Sequence, residues 1–320
     1  MGRISAADKL AAKRQVWQAR TASALNMDRE EAVSLLRITR QQSVRLNPLA
    51  ADPAQTLEHM RQLGWSGASF EWAKHGYSVD SGLEAVRDSQ LAANGALLIQ
   101  NAASWLPVLA LGPQPGDTVL DVCAAPGGKT THIAAVTNNQ ARITANDNSR
   151  ARLMKLKAMC QRLSANIERF TLFDGLQIVR KLDGQQFDRI LIDAPCSGEG
   201  MMHFDRDKDF ETWSVAHIKR LQQLQKRMLV QAWQLLKPGG TLVYSTCTMA
   251  PEENEAVIDY GLRALEGAQV IPFGPDLPNS VTPVTEWNGK AYNPAVEFSL
   301  RLKPGKNVGA FYVCKLVKKL

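Results

Sequence analysis

No apolar run in this sequence approaches the length of a membrane span, and its opening residues, MGRISAADKLAAKRQ, lack the apolar core of a secretory signal. The expected compartment is therefore the cytoplasm. The five cysteines, Cys123, Cys160, Cys196, Cys247 and Cys314, are scattered and contain no C-x-x-C pair, which argues against a structural zinc site and against a disulfide scaffold. No metal and no membrane partner are expected. Internal repeats and low-complexity linkers are also missing, so neither a solenoid nor a tethered pair of modules is indicated. Acidic residues are the minority: 31 Asp and Glu face 38 Lys and Arg, a net charge of +7. That excess suits a polyanionic partner such as RNA without proving one.

What is present is ordinary for a globular enzyme, with 45% hydrophobic and 22% charged residues over 320 positions, enough for a catalytic domain and a smaller companion. From Ala6 to about Thr39 the chain is rich in Ala, Leu and Arg and free of Pro and Gly. This predicts two helices, the first carrying Lys9, Lys13, Arg14 and Arg20, on a face that is either solvated or in contact with RNA. Next come the apolar stretch SVRLNPL, a helix from Pro53 that Asp52 can cap, and a strand-like ASFEWAKHGYSV, together a small α+β unit. From about Gly112 short apolar runs end in acidic or small residues and alternate with helical stretches. TVLDVCA, RITAND, ERFTLFD, DRILIDAP and TLVYSTC are five candidate strands at βαβ spacing. Two helical stripes between them, Leu153, Leu156, Cys160 and Leu163, then Leu221, Leu224, Met228 and Leu235, read as core, and LKPGG stops the second helix. A late run, AFYVCKLV, predicts a last strand at the edge of an open, doubly wound, mostly parallel sheet. The expected divisions are 1–40, basic helices; 41–110, the α+β subdomain; and 111–320, the catalytic domain.

In such sheets ligands sit beyond the carboxyl ends of the strands. There the first strand runs into CAAPGGKT, Cys123 to Thr130, where Gly127 and Gly128 permit a tight turn and close approach of backbone N–H groups to a ligand. Asp147 ends the second strand, 20 residues after Gly127, where an acid can accept hydrogen bonds from ribose hydroxyls. Asp174 and Asp193 end the third and fourth. GGKT resembles the tail of a P-loop, but the leading glycine of that motif is Cys123 here, and no G-x-G-x-x-G follows the first strand. A nucleoside cofactor without a bound pyrophosphate fits better, and S-adenosylmethionine is the common one.

DAPCSGEGM, Asp193 to Met201, and YSTCTMAPEENE, Tyr244 to Glu255, close the fourth and fifth strands and bring Cys196 and Cys247 toward one cleft. Carbon 5 of cytosine is too poor a nucleophile to take a methyl group directly from a sulfonium. A thiolate adding to carbon 6 makes carbon 5 enamine-like, and an acid on ring nitrogen N3, for which Asp193 is placed, assists. A cytosine within reach must leave its stack, so single-stranded or flipped RNA is expected.

From about Arg45 to the C-terminus the chain resembles the Nop/Sun-type RNA (cytosine-5) methyltransferases, most specifically in CAAPGGKT, DAPCSGEGM, LKPGGTLVYSTC and PEENE. The resemblance implies a Rossmann-like class I methyltransferase, an α/β doubly wound sheet with a small N-terminal α+β RNA-binding subdomain. It further implies that Cys123, Ala124, Ala125, Pro126, Gly127, Gly128, Lys129, Asp147, Asp174 and Asp193, with Arg152 beside the ribose, hold S-adenosylmethionine. Cys247 in the Thr-Cys motif resembles the attacking nucleophile, and Cys196 in the Pro-Cys motif the assisting cysteine needed for product release. The chain carries Gln100-Asn101 where the family usually shows Gln-Asp, and no stretch is left for the extra RNA-binding module of larger relatives. Transfer RNA and ribosomal RNA both remain open as substrates. The alternatives are a DNA cytosine-5 methyltransferase attacking through Cys196 and a non-catalytic RNA-binding assembly factor that keeps the fold.

Overall fold

The computed structural model describes residues 5–320, so the first four residues of the expected 1–40 segment lie outside the described residues. The helices Ala6–Leu25 and Arg29–Leu36 form as expected, the first capped by Ser5, whose hydroxyl accepts from the Asp8 amide while the Asp8 carboxylate reaches back. The first helix is anchored by Trp17, fully buried and set edge-on to Phe210 at 5.1 Å between ring centres. Three of its four basic residues are spent on the same docking. Lys13 donates to the carbonyls of Phe210 and Glu211, Arg14 to the Phe204 carbonyl and Asp207, and Arg20 pairs with Glu252 at 2.7 Å. Packing, which charge spacing alone does not reveal, decides their use.

Strands β1 (Ser43–Leu46), β2 (Gly76–Ser78) and β3 (Leu97–Gln100) make an antiparallel sheet in the order β2-β1-β3. Asp52 caps the helix Pro53–Gln62 by accepting from the Gln55 amide at 2.9 Å. Of the strand-like ASFEWAKHGYSV only Gly76–Ser78 forms a strand element. The preceding residues turn, with Ala73 N–H on the Phe70 carbonyl and a left-handed φ of 65° at His75, because Phe70 and Trp72 gather against Trp105.

The large sheet collects β4 (Thr118–Asp121), β5 (Arg142–Asp147), β6 (Arg169–Leu172), β7 (Phe187–Asp193), β8 (Leu236–Thr246), β9 (Ala268–Ile271) and β10 (Ser280–Val281). After the ribbon of β11 (Glu286–Trp287) and β12 (Lys290–Ala291), β13 (Leu300–Leu302) and β14 (Phe311–Lys318) complete it. The order is β10-β13-β14-β8-β7-β4-β5-β6, with β9 also on β14; β4 to β8 are parallel and the far side is antiparallel. The five motif-bearing strands are those expected. The AFYVCKLV strand, in contrast, lies inside the sheet between β8 and β13, not at its edge. Phe311, Tyr312, Val313, Cys314 and Leu316 are all buried, and a run apolar on both faces belongs in the middle of a sheet. The helix Val215–Gln234 ends just before LKPGG, which itself opens β8 as an irregularity: Leu236 pairs with Phe187, while Thr241 pairs with Arg189. Beyond β4 the order runs one way through β5 and the other through β7, which opens a crevice at their carboxyl ends.

Candidate active site

That crevice is two adjoining hollows of about 220 Å³ each, sharing Cys123, Ala125 and Asp193. The first is walled by β3, through Leu98 and Gln100, by the Cys123–Gly128 turn and by Lys129. The second collects Asp147, Arg152, Asp174, Asp193, Cys196 and Cys247. The structure thus gathers the expected site residues at one place, although Gly127 faces away: a side chain there would meet Leu156 and Met159, and its φ of 117° shapes the turn. Leu224 and Met228 belong to the core as expected, Met228 within the main cluster and Leu224 packed against it, and both also line the second hollow.

Asp147 is almost wholly buried, yet its Oδ2 takes no hydrogen bond. Its other oxygen caps the Ser149 amide, while Oδ2 itself faces the Arg152 guanidinium in an ion pair at 3.3 Å, the same guanidinium nitrogen donating to the Ala125 carbonyl. A buried carboxylate oxygen that holds an ion pair but no hydrogen bond, beside a hollow, keeps acceptor capacity for a ligand hydroxyl. Asp174 Oδ1 accepts from the Leu176 amide. Asn146, not singled out from the sequence, holds this floor together. Its amide donates to the Val122 and Phe173 carbonyls and its Oδ1 accepts from the Thr171 hydroxyl and the Phe173 amide, tying the ends of β4, β5 and β6. A polar residue inside the apolar strand RITAND was the available signal.

On the other side, Cys196 and Cys247 stand with their sulfurs 3.5 Å apart. The hydrogen bond from Cys196 pulls the Cys247 thiol below its ordinary pKa, helped by the nearby Lys129 ammonium and opposed by burial and Asp193. The same bond, with burial, pushes Cys196 well up. Cys247 is thus the readier thiolate of the pair. Asp193 spends both oxygens: Oδ2 accepts from Lys129 Nζ at 2.6 Å and Oδ1 from the Ser245 hydroxyl at 2.9 Å. Burial draws the Lys129 ammonium down, but Asp193 more than reverses this and keeps it protonated. Lys129, expected among the cofactor residues, therefore carries its charge to the acid beside the thiols. Asp121, also missed, lines the first hollow; burial lifts its carboxyl to about 7 despite the Thr130 hydroxyl it accepts at 2.7 Å. Asn101, in place of the family's usual Asp, accepts from the Ala103 and Gly309 amides, a task a neutral carbonyl performs as well as a carboxylate.

Strand order, glycine turn and acids at the strand ends define a class I methyltransferase. A family model described as 16S rRNA methyltransferase RsmB/F matches residues 108–317. The tRNA (cytosine(49)-C(5))-methyltransferase of Pyrococcus abyssi is 40% identical over 228 residues, 70% of this chain and 71% of that protein. Ribosomal RNA small subunit methyltransferase F of Aeromonas salmonicida is 38% identical over 263 residues, 80% of this chain and 54% of that one, so the chain spans about half the length of such ribosomal RNA relatives. Among solved structures, a methyltransferase homologue from Pyrococcus horikoshii superposes with a TM-score of 0.82 at 30% identity, covering 98% of this chain and 100% of that one. The chain belongs to the RsmB/F family of RNA (cytosine-5) methyltransferases. Among the described residues no helix is long and apolar enough to cross a membrane.

Proposed function

We propose that this chain transfers a methyl group from S-adenosylmethionine to carbon 5 of a cytosine in transfer or ribosomal RNA, in the cytoplasm, with Cys247 as nucleophile and Cys196 assisting release. The observation that carries it is the pair of thiols 3.5 Å apart beside the Lys129–Asp193 ion pair. The second hollow fits the donor: Oδ2 of Asp147, ion-paired with Arg152 but free of hydrogen bonds, suits a ribose hydroxyl, with Asp174 and the Cys123–Gly128 turn around the rest. When bound, S-adenosylmethionine supplies a methyl group on a sulfonium, which departs as the neutral thioether.

The Cys247 thiolate bonds to carbon 6 and drives electron density onto carbon 5, the atom that receives the methyl group. Because Asp193 accepts from both Lys129 and Ser245, the proton offered to the ring side of the base comes from the Lys129 ammonium, with Asp193 orienting it. Carbon 5 then gives its proton to a base reaching the cleft from solvent, the bond from carbon 6 to sulfur breaks, returning its electron pair to Cys247, and the ring gives its borrowed proton back to Lys129. Cys196 hydrogen-bonds the departing sulfur from 3.5 Å and stabilises it as thiolate. We assign residues 111–320 to this chemistry and residues 1–110 to holding RNA, through phosphate contacts that weaken with salt.

The test mixes the protein with total RNA and labelled S-adenosylmethionine. Wild type should label cytosine, Cys247→Ser should not, and Cys196→Ser should accumulate a gel-shifted covalent RNA adduct. An adduct with Cys247→Ser but none with Cys196→Ser would reverse the two roles. Sizing the labelled RNA separates a transfer RNA from a ribosomal RNA substrate.

A further inference from the structure

Around Cys196 the backbone is held by two buried side chains that no step above uses. Gln225, on the buried face of the helix Val215–Gln234, directs its Nε2 at both the Pro195 carbonyl and Glu253 Oε2, each at 2.9 Å. The same Glu253 oxygen accepts the Ser197 amide at 3.0 Å, and the Glu253 main chain is fixed by the Tyr244 hydroxyl at 2.6 Å. Gln225 and Glu253 are fully buried, Gln225 Oε1 and Glu253 Oε1 lack partners among the described residues, and no cation among those residues pairs with the Glu253 carboxylate, which burial raises to about 7. Burying a carboxyl and an amide with acceptors left over opposes stability. An apolar pair would fill the space at less cost, so the arrangement is explained by what it holds.

We propose that Gln225 and Glu253 are positioning residues for the reaction: they pin the main chain on both sides of Cys196, at Pro195 O and Ser197 N, and so set the Cys196 thiol against Cys247. The inference rests on the release role of Cys196 proposed above. Two further ties close the loop onto the strand that carries Cys247, from the Ala194 amide to the Ser245 carbonyl and from the Gly200 amide to the Cys247 carbonyl. Those are main-chain bonds that survive any side-chain change. Side chains also tie the loop beyond Cys196, the Ser197 hydroxyl to that of Thr248 at 2.8 Å and Glu199 to Trp213 at 2.9 Å, but the Gln225–Glu253 clamp is the side-chain support that holds the main chain on both flanks of Cys196.

The experiment compares Gln225→Met and Glu253→Met, which remove the clamp at similar length, with Glu253→Gln. The last keeps an oxygen for the Ser197 amide and can turn its NH₂ to the free Gln225 Oε1, so it should rescue. One readout is the pH profile of Cys247 alkylation without RNA: losing the Cys196 hydrogen bond should raise its midpoint, most plainly in Gln225→Met, which leaves the Glu253 charge in place. The other is turnover. A thiol displaced by about 1 Å can lose on the order of 100-fold, so steady-state methylation should fall at least ~10-fold with adduct accumulating, while the first methyl transfer stays within ~3-fold. An unchanged Cys247 midpoint in Gln225→Met, or a raised one in Glu253→Gln, overturns the clamp; removing the Glu253 charge by itself only lowers that midpoint, so the second arm stands even if the Met variants fail to fold. Cys196→Ser serves as control. If it accumulates no adduct, the release role itself fails, whereas adduct with Cys196→Ser but none with the Met variants refutes the clamp alone.

Discussion

Replacing Asp121 by Asn should stabilise the protein above neutral pH and do progressively less as the pH falls. Asp121 is 1% exposed, its Oδ1 has no partner, and burial, with the Asp193 charge nearby, lifts its carboxyl to about 7 in the folded chain. In the unfolded chain it titrates near the ordinary value of about 3.9. Between those two values the native state holds a proton the unfolded state has lost, so this group's contribution to stability falls as pH rises and levels off above the folded pKa. At about 1.4 kcal/mol per unit, three units set a ceiling of about 4 kcal/mol, reached near pH 8, of which about 1.5 is already present near pH 5. Asn is nearly isosteric and its carbonyl can still accept the Thr130 hydroxyl that Asp121 Oδ2 now takes at 2.7 Å. The advantage of Asp121→Asn should therefore widen by about 2.5 kcal/mol from pH 5 to pH 8, read by urea denaturation at each pH. Glu253, also lifted to about 7, tilts the wild-type curve the same way but cancels in the difference between variant and wild type. A variant less stable than wild type at pH 8, or a gap independent of pH, would refute the reasoning.

Removing the carboxylate acceptor with Asp147→Ala should weaken S-adenosylmethionine binding by about 10- to 100-fold in calorimetry, the value of a hydrogen bond to a charged group. Asn146→Ala strands partners on three strands and should lower stability by about 2–4 kcal/mol in chemical denaturation, with donor binding weakened alongside. Trp17→Ala should cost about 3–5 kcal/mol if the helix docks as described, and amide exchange should quicken in the 204–211 segment it covers. Should exchange quicken everywhere equally, the docking account is wrong. Lys129→Met should lower the rate of adduct formation more than the affinity for the donor; an equal loss in both would return Lys129 to the cofactor residues.

The parts of this protein that could be read in advance are those governed by local rules. Apolar runs closed by Asp or a small residue predicted β4 to β8, since period and punctuation are local, and the Asp52 cap of Pro53–Gln62 is settled by neighbours three residues apart. The C-terminal strand was legible as a strand but not as an interior one, because sheet order depends on partners far along the chain. The aromatic stretch around Trp72 misled for a related reason: its residues are strand formers, and only contact with Trp105 bends them into turns.

The amino-acid sequence by itself determined the class of sheet, the glycine turn, the acids at the strand ends and two cysteines in strand-end loops, because each is a matter of residue type at fixed short spacing. Tertiary structure alone decided what those groups do to one another. It put Cys196 51 positions from Cys247 yet 3.5 Å away, carried the Lys129 charge to Asp193, turned Lys13, Arg14 and Arg20 from an open basic face into docking contacts, and aimed Gln225 and Glu253 at the backbone flanking Cys196. Acidity, charge pairing and burial are set by distances between elements remote in the chain, and those distances exist only once the sheet has closed over its helices.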